Sequence, residues 1–130
     1  MRKRHNSASE WEPLVGFSRA IRVGDRIIVS GTAPIGPDGK SVEGDVYAQA
    51  SRCFAVIVEA IEALGGTAAD VVRTRMYLTG REHVEGVGRA HREWMGIARP
   101  AATQVIVAGL NAPEWVVEIE AEAVIDTDRS

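Results

Sequence analysis

The chain has 130 residues, 45% of them hydrophobic and 25% charged, with a formal net charge of −3, which fits one globular domain with a real core. The acidic balance gives no bulk attraction to nucleic acid or an anionic membrane, and no window reaches the ~18 consecutive apolar residues of a membrane helix. A single cysteine, Cys53, excludes an intramolecular disulfide and points to a reducing, cytoplasmic setting, and three scattered histidines offer no spacing for a structural zinc site.

In chain order, Arg2-Lys3-Arg4 opens a basic stretch without an apolar core, unlike a secretory signal. It reads as an anion-binding arm or as a frayed end, and residues 1–12 and 127–130 are expected to be flexible tails around a single domain of residues 13–126. Residues 17–22 and 26–30 are β-type runs about Val23-Gly24-Asp25, a hairpin signal. Gly36-Pro37-Asp38-Gly39 is a turn, and it lacks the Lys-Ser/Thr and helix start of a phosphate loop. Asp45 is a candidate N-cap. Val46, Ala50, Phe54, Ile57, Ile61 and Leu64 then mark one helix face, closed by Gly65-Gly66.

A strand is expected at 71–78, with Val72, Thr74, Met76 and Leu78 alternating against Arg73, Arg75 and Tyr77. A second helix follows over 81–95, with Val84, Val87, His91, Trp94 and Met95 on one stripe. Its Gly86 and Gly88 cost roughly 1 kcal/mol each against alanine, an expense that implies close packing or local irregularity. After the Arg99-Pro100 break come strands at 103–107 and 115–125. In the last strand Val117, Ile119, Ala121, Ala123 and Ile125 oppose Glu118, Glu120 and Glu122. Two helices cannot cover both faces of such a sheet, so both are expected on one face. The other face is solvated, or it is an oligomer interface or site wall, where Arg75 would oppose Glu118 or Glu120 because an unpartnered buried carboxylate is costly.

Gly16-Phe17-Ser18-Arg19-Ala20, Ile27-Ile28-Val29-Ser30-Gly31, the Asp45–Gly66 helix, Asp70-Val71-Val72-Arg73-Thr74, Arg99-Pro100-Ala101 and Val117-Glu118-Ile119-Glu120-Ala121 stand in a familiar order. Together they make the chain resemble the RidA/YjgF family of enamine/imine deaminases. The resemblance implies an α+β, chorismate-mutase-like subunit with a mixed β-sheet and two helices on one face. It also implies a homotrimer whose inter-subunit clefts bind small, carboxylate-bearing molecules and hydrolyse enamines or imines, with no metal or organic cofactor. Residue by residue it makes Glu118 the catalytic group that orients or activates water, and Ser30-Gly31 a ligand-contacting edge. Phe17 stands where the family has a tyrosine, Gly88 where it has an asparagine, and Ala102 where it has the arginine that clamps a substrate carboxylate. The sequence thus resembles the branch lacking that arginine, with Arg75 or Arg19 as the candidate replacement and Gln104 as a further cleft contact.

Two function classes follow from the resemblance: a small-molecule hydrolase of the deaminase type, or a non-catalytic ligand-binding trimer that has lost the chemistry. Ribonuclease activity is disfavoured by the acidic balance and by an aromatic content of 5%. His91 reads as a general base or a core-edge histidine, and Trp115 as a cleft wall or packing residue. Cys53, in mid-helix without a histidine nearby in sequence, is a poor nucleophile.

Overall fold

The structure, a computed structural model, describes residues 1–126; the expected C-terminal tail of 127–130 lies outside the described residues. The strands are β1 (Arg2–His5), β2 (Ala20–Val23), β3 (Arg26–Thr32), β4 (Val71–Leu78), β5 (Ala101–Ile106) and β6 (Val117–Val124). The helices are α1 (Trp11–Val15), α2 (Val46–Ala63) and α3 (Val84–Met95). One mixed sheet has the order β1-β2-β3-β6-β4-β5, in which only β4 and β5 are parallel neighbours.

The strand order explains the placement of the helices. β6 is antiparallel to both β3 and β4, so those two strands run in the same direction, joined by α2. α3 then joins β4 to the parallel β5, one step further the same way. Two successive crossovers of the same hand, moving in the same direction, put both helices on one face. The last strand inserts between β3 and β4, so Glu118, Glu120 and Glu122 lie near the middle of the other, uncovered face.

The apolar stripe of α2 is buried as Ala50, Cys53, Phe54, Ile57, Ala60 and Ile61, against Val87, Ala90 and Met95 of α3 and the inward side of β6. The Asp45 carboxylate accepts from the Ala48 N–H at 2.9 Å, satisfying one of the orphan donors at the start of α2. The helix closes at Gly65, whose φ of +94° suits a residue without Cβ. Gly86 has a clear packing reason: a Cβ there would sit 2.6 Å from Val46 Cγ1, so the glycine lets α3 approach α2. Gly88 has no such constraint, since its nearest outside atom is Gln104 Nε2 at 4.0 Å.

Several expectations are revised. Residues 2–5 are not a frayed end but strand β1, paired antiparallel with β2 in the register Arg2↔Val23 to His5↔Ala20. The pairing is made by backbone groups that would otherwise leave β2 as a bare edge, and it leaves no apolar periodicity to read. α1, too, begins within the stretch expected to be a tail, at Trp11 and Glu12. The first β run enters the ladder only at Ala20, although Ser30 N–H still reaches the Arg19 carbonyl at 2.9 Å. The second helix begins as a 3-10 turn, Arg81–His83, before α3 proper. In β4 a register shift between Val71 and Arg73 turns Val71 into the core and leaves Val72 45% exposed, reversing the expected side for Val72.

Candidate functional site

On the uncovered face, beside the start of β6, a cleft of about 130 Å³ with an open mouth is walled by Trp11, Val15, Phe17, Gly31, Trp115 and Glu118, with Ser9, Arg19, Ala33 and Asn111 completing the lining. Its floor lies where β3 is irregular: the β3–β6 register shifts between Val29 and Thr32, so Ser30 and Gly31 leave the regular ladder. Such a bulge re-aims the chain beside a site. Gly31 leaves the neighbouring carboxylate its place, since a Cβ at this position would lie 2.8 Å from Glu118 Oε2 and displace it.

Glu118 projects from β6 opposite Tyr77 of β4. It is half-buried, and its carboxylate makes no hydrogen bond or ion pair among the described residues. Burial pushes its pKa above the ordinary carboxylate value of 4.5; the nearby Arg19 guanidinium pulls it back, and Glu120 adds to the rise. A carboxylate in this state is a better proton acceptor than one in water.

Behind Glu118 lies a group that sequence reasoning named only in part. Arg19 Nε meets Glu12 Oε2 at 3.1 Å, and both side chains are almost wholly buried, at 4% and 2% exposure. Arg19 Nη1 also donates to the Gly31 carbonyl at 2.5 Å and to Thr32 Oγ1 at 3.1 Å, and its guanidinium lies 5.3 Å from the centre of the Phe17 ring. Glu12 in turn accepts from the Ser7 N–H at 2.8 Å and from the Ser7 hydroxyl. This chain ties the N-terminal segment, the Phe17 wall and the Gly31 bulge into one unit. Glu12 carried no signal in the sequence: it sits in the stretch expected to be a tail, and a spacing of seven residues to Arg19 is no motif.

Trp11 and Trp115 meet edge to face at 6.4 Å. Trp115 Nε1 donates to Ser41 Oγ at 2.9 Å. The entry to β6 is pinned by buried Gln49, whose amide donates to the Glu114 carbonyl at 3.0 Å and accepts from the Val116 N–H at 2.9 Å. Gln49 was also missed, being one polar residue on a helix whose apolar stripe dominates.

The sequence-derived candidates divide. Phe17, Gly31 and Glu118 share the cleft, and Arg19 borders it. Ser30 lies beside Gly31 but donates its hydroxyl to the Ser18 carbonyl at 2.8 Å, holding the Phe17 segment rather than facing the cleft. Arg75 pairs with Glu120 at 3.1 Å, as one of the expected alternatives had it, and Tyr77 donates to the same oxygen at 2.8 Å. That hydrogen bond keeps the proton on Tyr77 and raises its pKa. Arg75 lies in a separate small hollow with Ile28, Arg73 and Glu122, not in the Glu118 cleft. Gln104 pairs in register with buried Met76 and so faces the helices, where its amide reaches the Val84 carbonyl at 3.4 Å. Ala102 likewise pairs with buried Thr74 on the helix side. Within one subunit, therefore, Gln104 and Ala102 do not meet Glu118.

His91 Nε2 lies 2.8 Å from Thr74 Oγ1 and its ring meets Phe54 edge to face, on the helix side and away from the cleft. Burial lowers its pKa. Cys53 is fully buried, and burial pushes its thiol far up, which removes it as a nucleophile. Among the described residues no three His, Cys, Asp or Glu side chains converge as a metal site would need, and no helix is long and apolar enough to cross a membrane.

The family model described as Endoribonuclease L-PSP matches residues 7–125. An uncharacterised protein of Streptomyces coelicolor is 40% identical over 121 residues, 93% of this chain and 90% of that protein. A RutC family protein of Pyrococcus abyssi is 33% identical over 86% of this chain and 88% of its own length. Among solved structures, Rv2704 of Mycobacterium tuberculosis, described as a member of the YjgF/YER057c/UK114 family, superposes with a TM-score of 0.87 at 39% identity, covering 96% of this chain and all of that one. RidA from an Antarctic Psychrobacter superposes at 0.79 with 30% identity over 85% of this chain and 89% of its own.

Proposed function

Because the chain belongs to the L-PSP, or YjgF/RidA, family and has its chorismate-mutase-like fold, we propose that it is a small-molecule hydrolase of the enamine/imine-deaminase type. The observation that carries this reading is Glu118: an unpartnered, half-buried carboxylate with a raised pKa, held in a cleft by a bulge that leaves it room. The ligand is a small molecule, no cofactor is needed, and the clefts are completed by neighbouring copies in a homotrimer. The uncovered sheet face supports that assembly, since Ile28 and Val105 are exposed there beside the Arg75–Glu120 pair.

The chemistry requires one water and one base. Glu118 takes a proton from water as the water oxygen bonds to the carbon of the protonated imine, and the C=N π pair moves to nitrogen, giving a neutral carbinolamine. The carbinolamine then collapses: the proton held by Glu118 passes to nitrogen, an oxygen lone pair forms C=O as the C–N bond breaks and the amine leaves, and the remaining hydroxyl proton passes to the freed Glu118 carboxylate, which releases it to solvent. An enamine enters the same course after protonation at carbon.

Glu118→Gln keeps size and polarity but removes the base. General-base assistance contributes typically ~10²–10⁴-fold, so turnover of a freshly generated imine, read as loss of semicarbazide-trappable substrate, should fall by about 10² or more while the oligomer is unchanged. Unchanged turnover would remove Glu118 from the mechanism. A second reading, a trimer that binds ligands without turnover, is favoured by the replacements at Ala102, Phe17 and Gly88. Binding without turnover across a broad imine panel would select it. Two solved relatives carry endoribonuclease in their descriptions; in this chain the unpaired Glu118 carboxylate would oppose a phosphate group, while Glu120 and Glu122 are met by Arg75 and Arg26.

A further inference from the structure

The charges around the cleft do not balance as an anion site would need. Of the residues by which one subunit lines it, only Arg19 and Glu118 are ionisable. Arg19 is no free cation: Glu12 neutralises it at 3.1 Å behind the wall, its Nη1 is committed to Gly31 and Thr32, and Phe17 lies alongside its guanidinium. Glu12 offsets the Arg19 charge, although Arg19 still draws the Glu118 pKa down. The one ionisable group without a partner is a carboxylate, so the three charges Glu12, Arg19 and Glu118 sum to −1 toward the ligand. The other arginine of the central strands, Arg75, is held by Glu120 in a different hollow. Around Glu118 the walls are aromatic, from Trp11, Phe17 and Trp115, with Asn111 as an uncharged hydrogen-bonding group. Aromatic faces attract cations and are indifferent to neutral flat groups.

We infer that the Glu118 cleft takes ligands that are neutral or positively charged where it encloses them, an imine derived from a simple amine or its protonated form, and that it turns away carboxylates. The inference deepens the hydrolase reading, on which its substrate class rests, but the ligand preference itself rests on the charges that one subunit contributes to the cleft. It gives Glu118 two tasks: the carboxylate stabilises the protonated imine, which is the more electrophilic form, and takes the proton of the attacking water.

Three probes of similar size separate the possibilities: benzylammonium, benzamide and benzoate, titrated into the full-length assembled protein at pH 8 and followed by tryptophan fluorescence. Benzylammonium should bind at least about tenfold more tightly than benzoate, the size of effect expected from a single partly buried charge contact, with benzamide between them. Glu118→Gln should abolish the preference. In the unmutated protein the benzylammonium affinity should fall as the pH is lowered through the range where Glu118 takes up its proton, which keeps the test independent of how the variant folds. Benzoate binding as tightly as benzylammonium, or more tightly, overturns the inference.

Turnover separates this inference from the hydrolase reading. An imine released from benzylamine by an amine oxidase is compared with the 2-imino acid released from leucine by an amino-acid oxidase. Acceleration of the amine-derived imine alone is the expected result. Preferential hydrolysis of the imino acid overturns the inference and leaves the hydrolase reading standing. Cation-selective binding with no acceleration of either imine does the reverse.

Discussion

Gly31→Ala isolates the position of the proposed catalytic carboxylate, Glu118, from its chemistry. The added methyl carbon would lie 2.8 Å from Glu118 Oε2, 3.3 Å from its Cδ and 3.7 Å from its Cγ. The contact is relieved if the carboxylate withdraws by about half an ångström, which the end of a flexible side chain can do cheaply. Gly31 is not among the positive-φ glycines, so alanine meets no backbone strain there. Restricting the unfolded chain even returns about 0.4–1 kcal/mol. Stability should therefore change by less than about 1 kcal/mol in urea unfolding. Catalysis should not survive so well. A displacement of about 1 Å can cost ~10²-fold, so half of that should lower kcat/KM by about tenfold, or ~1.4 kcal/mol of transition-state stabilisation. The assay is trapping of a freshly generated imine with and without enzyme. Combining Gly31→Ala with Glu118→Gln should add nothing to the loss from Glu118→Gln alone, because both act at one carboxylate. Activity within about twofold of the parent, or losses that add, would refute the placement of Glu118 as the base.

The buried ion pair has a strong stability signature. Glu12→Gln strands the Arg19 charge and should cost ~3–5 kcal/mol, a Tm drop on the order of 10 °C; the double change with Arg19→Gln should be less damaging than Glu12→Gln alone. The two glycines of α3 should behave oppositely: Gly86→Ala clashes with Val46 and should destabilise by about 1–3 kcal/mol, whereas Gly88→Ala should stabilise by up to ~1 kcal/mol in urea unfolding. His91 and Glu118 pull the pH dependence of Tm in opposite directions. His91 has a lowered pKa, so its contribution is complete above the ordinary value of 6.5 and is lost as pH falls through the folded value; the Tm advantage of the parent over His91→Gln should shrink in that range. Glu118 has a raised pKa, so its contribution is present below 4.5 and lost as pH rises through the folded value; Glu118→Gln should remove that loss.

Much of the site could be read from the chain because β6 advertises itself. Its strict alternation separates Val117, Ile119 and Ala121 from Glu118, Glu120 and Glu122, and the burial follows that division. The stripe on α2 and its Asp45 cap were equally plain, since both are local regularities of one element. Gly31 and Phe17 came to Glu118 through resemblance, not through periodicity. Gln104 came to the cleft by resemblance, and its place on the helix side of its own subunit could not be read from strand parity within β5; the Gln104↔Met76 register with β4 decides it. Val72 failed for a related reason, one extra residue at the β4–β6 register shift being enough to exchange the sides of Val71 and Val72.

The sequence by itself therefore determined the helices α2 and α3, the strands from β2 onward, their amphipathic faces and the carboxylate row, because each depends on periods of two or 3.6 residues along a single segment. Only the tertiary structure decided which charges neutralise one another. Glu12 meets Arg19 because α1 folds back over the start of β2, and Glu118 stays unpaired because Arg75 is aligned with Glu120 across the ladder. Pairings between elements are set by strand order and register, which no single segment encodes, and here they turn a near-neutral composition into a cleft with one uncompensated negative charge.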